Sequence, residues 1–227
     1  CFENSKGNAK KLNELHKRIT NLKIFDPACG SGNFLIIAYK ELRKLEMDIF
    51  KSGQMLNMPS IKLSQFYGIE LDDFAHEVAI LSLWLAEHQM NQEFKKLFGN
   101  CTPTLPLKDS GNIVCGNATR LDWEEVCPKN EGDEIYILGN PPYLGARLQT
   151  KEQKEDMNIV FDGIDGFNNL DYISCWFYKA TKYLQNYSKN QFAFVSTNSI
   201  TQGTQVSLLW SHLLNNDIEI SFAHQSF

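Results

Sequence analysis

The chain has 227 residues, 43% of them hydrophobic, which is enough to build one sizeable folded domain. Its 22 Lys and Arg against 27 Asp and Glu give a formal net charge of −5, which argues against a free-standing DNA binder with a basic surface. No apolar run approaches the length of a membrane helix, so the sequence predicts no membrane-spanning helix.

Residues 1–22 are predicted to form a helical N-terminal extension, ahead of a folded core at residues 23–227. The extension is rich in Lys, Asn and Glu and lacks the apolar stretch of a signal peptide. Its first residue, Cys1, is not methionine, which suggests a fragment of a longer protein.

The first predicted strand, near residues 23–26, leads into a glycine loop with the sequence DPACGSG at residues 26–32, and a helical pattern follows from Phe34 to Phe50. Gly30 and Gly32 permit positive φ and close approach of the backbone to a ligand, while the helix start offers free N–H groups. The third glycine of a dinucleotide fingerprint would fall at Leu35, so pyrophosphate binding is not favoured. The acidic Asp26 better suits a ligand with an ammonium group, and S-adenosylmethionine fits that description.

The second predicted strand, near residues 66–70, ends in Glu70, and an amphipathic helix follows from Asp72 to about Met90. A carboxylate at a strand tip can accept hydrogen bonds from both hydroxyls of a ribose. Glu70 could instead cap the helix that begins near Asp72. A third strand near residues 112–115 leads to Asn117, which, like Asp122, could hydrogen-bond the adenine edge of the cofactor.

The fourth predicted strand, near residues 135–139, is followed directly by Asn140-Pro141-Pro142-Tyr143. Two prolines cannot continue a strand ladder because neither has an N–H, so a stiff loop must follow. Open α/β sheets bind ligands at this end of their strands. The loop offers an amide, free carbonyls and an aromatic ring, which suit a planar substrate with an NH2 group. Asn-Pro-Pro alone is an ordinary turn sequence, but downstream of the glycine loop it predicts an amine-methylating active site.

The remaining chain continues to alternate between helix and strand. Helices are predicted at residues 170–187 and 206–214, and strands near residues 191–196 and 218–223. The six strands predict an α/β fold with a doubly wound, mostly parallel, Rossmann-like sheet. The proline-rich segment at residues 101–108 is predicted to be a loop.

Neither cysteines nor histidines indicate a metal site or a disulfide framework. The six cysteines contain no C-x-x-C pair and have no regular spacing, so a reducing cytoplasm is the simpler interpretation. The histidines at positions 76, 88, 212 and 224 do not show metal-ligand spacing, and no metal is expected.

The glycine loop and the Asn-Pro-Pro-Tyr loop together resemble class I S-adenosylmethionine-dependent DNA methyltransferases that modify adenine N6. The cofactor loop comes first, which is the order of the γ group. The sequences DPACGSGNF and GNPPYLGAR are most similar to the large MmeI-like single-polypeptide restriction–modification enzymes. The resemblance covers roughly residues 20–227.

This resemblance implies a cofactor site and a target-base site. The cofactor residues would be Asp26, Ala28, Gly30, Gly32, Glu70 and Asn117, and the catalytic residues would be Asn140, Pro141, Pro142 and Tyr143. Many relatives carry aspartate where this chain has asparagine at 117. Relatives also finish with a seventh, antiparallel strand, for which the chain is expected to stop too early, and Phe222 or Phe227 could contact the flipped base.

The implied partner is double-stranded DNA, held mainly by a separate recognition domain that this chain lacks, which would reconcile DNA binding with the net negative charge. Arg147, Lys151 and Lys154 could supply a local basic rim, or could be a plain solvated helix face.

Other functions remain open at this point. Protein-glutamine and RNA guanine-N2 methyltransferases use related loops, because their substrates also present a planar NH2 group. A nucleotide-binding oxidoreductase and an inactive cofactor-binding fragment are more remote alternatives.

Overall fold

The computed structural model describes residues 2–53, 58–99, 111–185, 189–216 and 218–224. The predicted loop at residues 101–108 and Phe227 lie outside these ranges. Five parallel strands form one sheet in the order β3-β2-β1-β4-β5. The strands are β1 (Leu22–Asp26), β2 (Phe66–Glu70), β3 (Asn112–Cys115), β4 (Glu134–Gly139) and β5 (Gln191–Phe194). The doubly wound, Rossmann-like α/β prediction is therefore confirmed.

Helices connect the strands. They are α1 (Ala9–Ile19), α2 (Asn33–Ser52), α3 (Asp73–Phe98), α4 (Trp123–Val126), α5 (Lys151–Val160), α6 (Ser174–Leu184) and α7 (Ser211–Leu214). Helix α3 continues two turns beyond the predicted end, to Gly99, whose φ of 81° terminates it. None of the helices in the described ranges has both the length and the apolar character needed to cross a membrane.

The helices cover both faces of the sheet, and each face has its own apolar core. Ile24 belongs to the core under α1, α2 and α3, whereas its neighbour Phe25 belongs to the core under α4, α5, α6 and α7. Adjacent strand residues point to opposite faces, so a strand buried on both sides is a continuous apolar run. This explains why β1, β2 and β4 were recognisable as short apolar runs in the sequence.

The N-terminal helix α1 packs directly on the sheet domain. Leu12, Leu15 and Ile19 are buried in the same core as α2 and α3. Arg18 also makes a forked ion pair with Glu134 at the start of β4, with a distance of 2.6 Å between Nη2 and Oε1. The division into an extension at residues 1–22 and a core at 23–227 stays a prediction.

The structure corrects two predicted elements. Residues 218–224 form no strand within the described chain and are mostly exposed, so the sixth strand at 218–223 is wrong. An extended segment becomes a strand only when a neighbour satisfies its backbone groups, and local sequence does not reveal that neighbour. The helix predicted at 170–187 begins at Ser174, because Asp171 accepts hydrogen bonds from the N–H groups of Leu144 and Ile173 and holds the preceding residues in a loop. Its predicted end, Tyr187, lies outside the described residues.

The helical prediction at 206–214 is confirmed, with a local difference in winding. Val206–Trp210 has π-helical hydrogen bonding, and α7 continues the helix from Ser211. Such π-turns are inserted into helices where packing demands an extra residue, which the apolar pattern alone does not show.

Gly139, the last residue of β4, is predicted to tolerate no side chain. A Cβ added there would lie 2.6 Å from Oδ1 of Asp26, whose carboxylate is buried in the adjacent strand. We expect Gly139→Ala to lower the free energy of unfolding by about 1–3 kcal/mol, the usual cost of overpacking a core. Gly145→Ala is the matched control, because a Cβ there meets nothing within 4 Å. Denaturant unfolding checks the prediction, and equal stability of the two variants would contradict it.

Candidate active site

The sheet order creates a crevice between β1 and β4. The chain winds outward from these two adjacent strands in opposite directions, so the loops after Asp26 and Gly139 separate at the carboxyl edge. A cavity of about 590 Å³ opens there, within the usual range for small-molecule sites. Among the predicted site residues, it is bordered by Ala28, Gly30, Glu70, Asn117, Asn140 and Pro142.

The glycine loop uses its two glycines for different purposes. Gly30, with φ of 54°, borders the cavity and donates its N–H to Oε2 of Glu70 at 2.8 Å. Gly32, with φ of 86°, is buried at the start of α2, and a Cβ there would lie 3.3 Å from Ala79 of α3. Gly30 therefore shapes the cavity wall, whereas Gly32 permits close helix packing behind it.

Glu70 connects the glycine loop to the segment that precedes α3. Its Oε2 accepts the N–H of Gly30, and its Oε1 accepts the N–H of Asp72 at 2.9 Å, just before α3. The residue is half-buried and borders the cavity. A carboxylate offers about four acceptor positions, so two remain for a ligand.

Asp26 is fully buried and does not border the cavity. Its Oδ1 accepts the N–H of Ala28 at 3.0 Å, which holds the turn that enters the glycine loop. Burial, together with the negative charge of Glu70, raises the pKa of Asp26 to about 7, despite the opposing hydrogen bond from Ala28. Asp26 is thus a positioning group behind the cavity wall.

The raised pKa of Asp26 predicts a pH-dependent stability. The folded state holds this proton up to about pH 7, whereas the unfolded carboxyl releases it near pH 3.8, so stability is lost as pH rises between these values. The contribution is about 1.4 kcal/mol per pH unit at most. We expect the difference in unfolding free energy between the natural protein and Asp26→Asn to change with pH in this window. A difference that is constant from pH 4 to 8 would contradict the prediction.

Asn117 lies at the cavity but its side chain is already engaged. Oδ1 accepts two hydrogen bonds from Thr119, from the backbone N–H at 2.9 Å and from Oγ1 at 2.6 Å, and Nδ2 donates to Oδ2 of Asp156 at 3.0 Å. The other adenine candidate, Asp122, instead caps α4 by accepting the N–H of Glu124 at 2.8 Å. It does not border the cavity.

The Asn-Pro-Pro-Tyr loop presents its residues to different surroundings. Asn140 and Pro142 are exposed and border the cavity, whereas Pro141 is buried. Tyr143 is 49% exposed and lies beyond the cavity wall. The loop end is fixed because the N–H of Leu144 donates to Oδ1 of Asp171 at 2.8 Å. Asn140 therefore borders the cavity on a loop whose far end is fixed by Asp171.

Sequence reasoning missed the part of the cavity wall that is formed by α5 and by the residues near the start of α6. Gln153 and Asp156 of α5 and Tyr172 and Trp176 near the start of α6 border the cavity. The indole N–H of Trp176 donates to the carbonyl of Pro27 at 3.0 Å and ties α6 to the glycine loop. The capping box Thr150-x-x-Gln153 was a usable signal for the start of α5, but nothing local indicated that α5 faces the cavity. Arg147, Lys151 and Lys154 are exposed on the same segment, and the basic rim stays a prediction.

One group of possible metal ligands occurs in the described ranges. Ligand atoms of Asp73, His76 and Glu77, at the start of α3, lie within 4.8 Å of one another. Histidine spacing does not reveal this group, because only one of its three residues is a histidine. The Nε2 of His76 lies 3.2 Å from the carbonyl of Ile113, so this imidazole already has a protein partner.

Comparisons with known proteins agree on one family. The model of the family described as "MmeI, DNA-methyltransferase domain" matches residues 2–227. DNA methyltransferase A of Bacillus subtilis (strain 168) is 55% identical over 223 residues, which cover 96% of this chain and 25% of that protein. The type II restriction enzyme and methyltransferase RM.Eco57I of Escherichia coli is 24% identical over 165 residues, which cover 62% of this chain and 16% of that protein.

One solved structure agrees with this family, and a second shares the fold. The type IIL restriction–modification enzyme MmeI in complex with DNA matches with a TM-score of 0.86 and 42% identity, over 94% of this chain and 29% of that chain. The type ISP restriction–modification enzyme LlaGI, at 15% identity and a TM-score of 0.53, shares the fold alone. The chain spans about a quarter of the length of the Bacillus relative, at 25%.

Proposed function

Because the chain belongs to the family of the MmeI DNA-methyltransferase domain, we propose that it is the catalytic core of an adenine-N6 DNA methyltransferase that uses S-adenosylmethionine. One observation carries the proposal: Asn140 and Glu70 border the same cavity, although Glu70 ends β2 and Asn140 follows β4. An amide that can hold an amino group thus faces the same space as a carboxylate that can hold a ribose. The protein-glutamine, RNA and oxidoreductase alternatives gain no support from the family match.

The cavity residues fit S-adenosylmethionine. Glu70 keeps acceptor positions for two ribose hydroxyls, and Gly30 has no side chain to obstruct the backbone beside it. When bound, the cofactor supplies a methyl group on a positively charged sulfur. The burial of Asp26 favours an indirect role for this residue, which holds Ala28 at the cavity edge rather than touching an ammonium group. Asn117 would act indirectly, by positioning the residues around the adenine of the cofactor through its hydrogen bonds to Thr119 and Asp156.

Asn140 and Pro141 would act on the target amine. The lone pair of an aromatic amino group is delocalised into the ring, so the nitrogen is a poor nucleophile while it stays planar. Hydrogen bonds from its two N–H groups to Oδ1 of Asn140 and the carbonyl of Pro141 would draw it towards tetrahedral geometry. Both acceptors are neutral dipoles that stabilise the positive charge developing on nitrogen, and the stiff loop positions them in advance. Pro142 keeps the loop rigid.

Tyr143 would stack on the target base after it leaves the duplex, because a base inside the stack cannot reach the cavity. Tyr143 is 49% exposed, so its ring is accessible to a base. We expect Tyr143→Ala to weaken binding of a flipped base about tenfold, since stacking contributes about 1–3 kcal/mol. Fluorescence of 2-aminopurine placed at the target position measures this step. Tyr143→Phe keeps the ring and should behave like the natural protein, and a loss as large as that of the alanine variant would contradict stacking.

The substrate would be double-stranded DNA, bound largely through a recognition domain outside residues 1–227. The matched MmeI structure is a complex with DNA. Because residues 1–227 carry a net charge of −5, most of the contacts to the DNA phosphates would come from another part of the protein. Arg147, Lys151 and Lys154 would add a local basic rim beside the Asn-Pro-Pro-Tyr loop. We place the enzyme in the cytoplasm, where its DNA substrate lies.

Nucleoside analysis of DNA treated with the intact protein tests the proposal. We expect N6-methyladenine to appear only when S-adenosylmethionine is supplied. Methylcytosine in place of methyladenine would overturn the adenine assignment. Transfer of labelled methyl groups to protein glutamine or to RNA, and not to DNA, would overturn the substrate.

A further inference from the structure

We propose that Asp156 of α5 recognises the adenine of the cofactor, by accepting a hydrogen bond from its 6-amino group. This inference rests on the proposed use of S-adenosylmethionine. It assigns adenine specificity to a residue that follows the Asn-Pro-Pro-Tyr loop, rather than to Asn117 after β3. Three observations support it.

The first observation concerns the part of the cavity that would hold the adenine. Glu70 ends β2, and the backbone N–H of Gly116, just after β3, donates to the carbonyl of Glu70 at 2.8 Å. The segment from Gly116 to Ala118 borders the cavity directly beside Glu70. A ribose held by Glu70 therefore places its base over this segment, or back towards Asn140. The side of Asn140 is needed for the substrate, so the base lies towards residues 116–118.

The second observation is that Asn117 has no acceptor left for an amino group. Its Oδ1 has two lone pairs, and both face hydrogen atoms of Thr119 at 2.9 Å and 2.6 Å. What remains is the Nδ2 group, which is a donor. A donor cannot pair with the 6-amino group of adenine, which also donates.

The third observation is that Asp156 supplies the missing acceptor. Its Oδ2 lies 3.0 Å from Nδ2 of Asn117 and 2.6 Å from the hydroxyl of Tyr172, and its Oδ1 lies 2.6 Å from Nε of Arg120. Three donors use three of about four lone-pair positions, which leaves one on Oδ1. Asp156 is 2% exposed and borders the cavity. The same three hydrogen bonds lower the pKa of Asp156 below its usual range, against the effect of burial, so the acceptor stays ionised.

This arrangement predicts that the site distinguishes adenine from hypoxanthine by the substituent at position 6 of the ring. A buried carboxylate pairs with a 6-amino group, but it repels the 6-oxo group of hypoxanthine because both are acceptors. Loss of a hydrogen bond to a charged group weakens binding by about tenfold to a hundredfold. The site should therefore prefer an adenosyl ligand over its inosyl counterpart by at least that factor.

Calorimetry on the intact protein tests this with two ligands, S-adenosylhomocysteine and S-inosylhomocysteine. We expect the natural protein to bind the adenosyl ligand at least tenfold more tightly, and Asp156→Asn to lose most of that preference. Tyr172→Phe and Arg120→Gln are matched controls, because each removes one partner of Asp156 and leaves its carboxylate. Both should keep the preference, even where they weaken binding of both ligands.

Several results would overturn the inference. Equal affinity of the natural protein for the two ligands does so without any variant, which matters if Asp156→Asn fails to fold. A preference that survives Asp156→Asn but disappears in Asn117→Ser would assign recognition to Asn117 instead. If the natural protein binds neither ligand, the proposed cofactor itself fails, which is a different result from binding both equally.

Discussion

Replacing Asn140 by alanine should lower turnover by about a hundredfold or more, while the affinity for S-adenosylhomocysteine stays nearly unchanged. The reason is that the side-chain oxygen acts on the amino group of the target base as charge develops on its nitrogen, and not on the cofactor. Removing one preorganised hydrogen-bonding group of this kind typically costs a hundredfold to a thousandfold in kcat. We expect the substitution to change turnover without displacing the loop, because Asn140 is exposed at the cavity and the end of its loop is held by Asp171.

The measurement is single-turnover transfer of labelled methyl groups to duplex DNA by the intact protein, with cofactor affinity determined separately by calorimetry. Asn158→Ala is the matched control, since Asn158 is exposed on α5 and does not border the cavity. Turnover within a few-fold of the natural rate in Asn140→Ala would contradict a catalytic role. A parallel fall in kcat and cofactor affinity would indicate a displaced loop instead.

Replacing Glu70 by alanine should weaken S-adenosylhomocysteine binding about a hundredfold. The variant loses hydrogen bonds from two ribose hydroxyls to a charged acceptor, which together contribute about 3 kcal/mol or more, or about a hundredfold in affinity at least. It also frees the N–H groups of Gly30 and Asp72, which the carboxylate now holds. The glycine loop and the start of α3 therefore lose a common anchor, so part of the effect comes from a less ordered site.

Calorimetric titration separates these contributions. Glu70→Gln keeps one acceptor oxygen and similar volume, and we expect it to bind about tenfold more weakly than the natural protein. Glu131→Ala, an exposed carboxylate away from the cavity, should have no effect. Unchanged affinity in Glu70→Ala would remove Glu70 from the site. Heat from a titration with NAD, and none with S-adenosylhomocysteine, would overturn the cofactor assignment.

Much of the fold was predictable because its signals are local. The apolar runs of β1, β2 and β4, each of five or six residues, indicate strands buried on both faces, and the helical periods of α2 and α3 follow β1 and β2. The same holds for the ends of two strands. Paired prolines stop β4 after Gly139, and Pro27 directly follows Asp26 at the end of β1, so the sequence alone placed both candidate loops at strand ends.

The strand that was wrongly predicted at residues 218–223 depends on more than its local sequence. Its composition resembles that of β5, but a strand exists only if another strand lies beside it, and that depends on distant parts of the chain. The late start of α6 has a similar cause. Asp171 is recruited to brace Leu144, which is 27 residues away, and this tertiary hydrogen bond outweighs the local helical pattern.

The sequence by itself determined the glycine loop, the Asn-Pro-Pro-Tyr loop and their order, because backbone rules for glycine and proline act on neighbouring residues. Only the tertiary structure decided which groups share the cavity. Asp26 was predicted to bind the cofactor and is buried behind the cavity wall, whereas Asp156, which no sequence motif singled out, borders the cavity. The hydrogen bond between Asn117 and Asp156 spans 39 residues, and no local rule specifies a contact between the loop after β3 and α5. Burial and hydrogen-bond partners depend on how the chain winds around the sheet, because this winding brings residues that are distant in sequence to the same cavity.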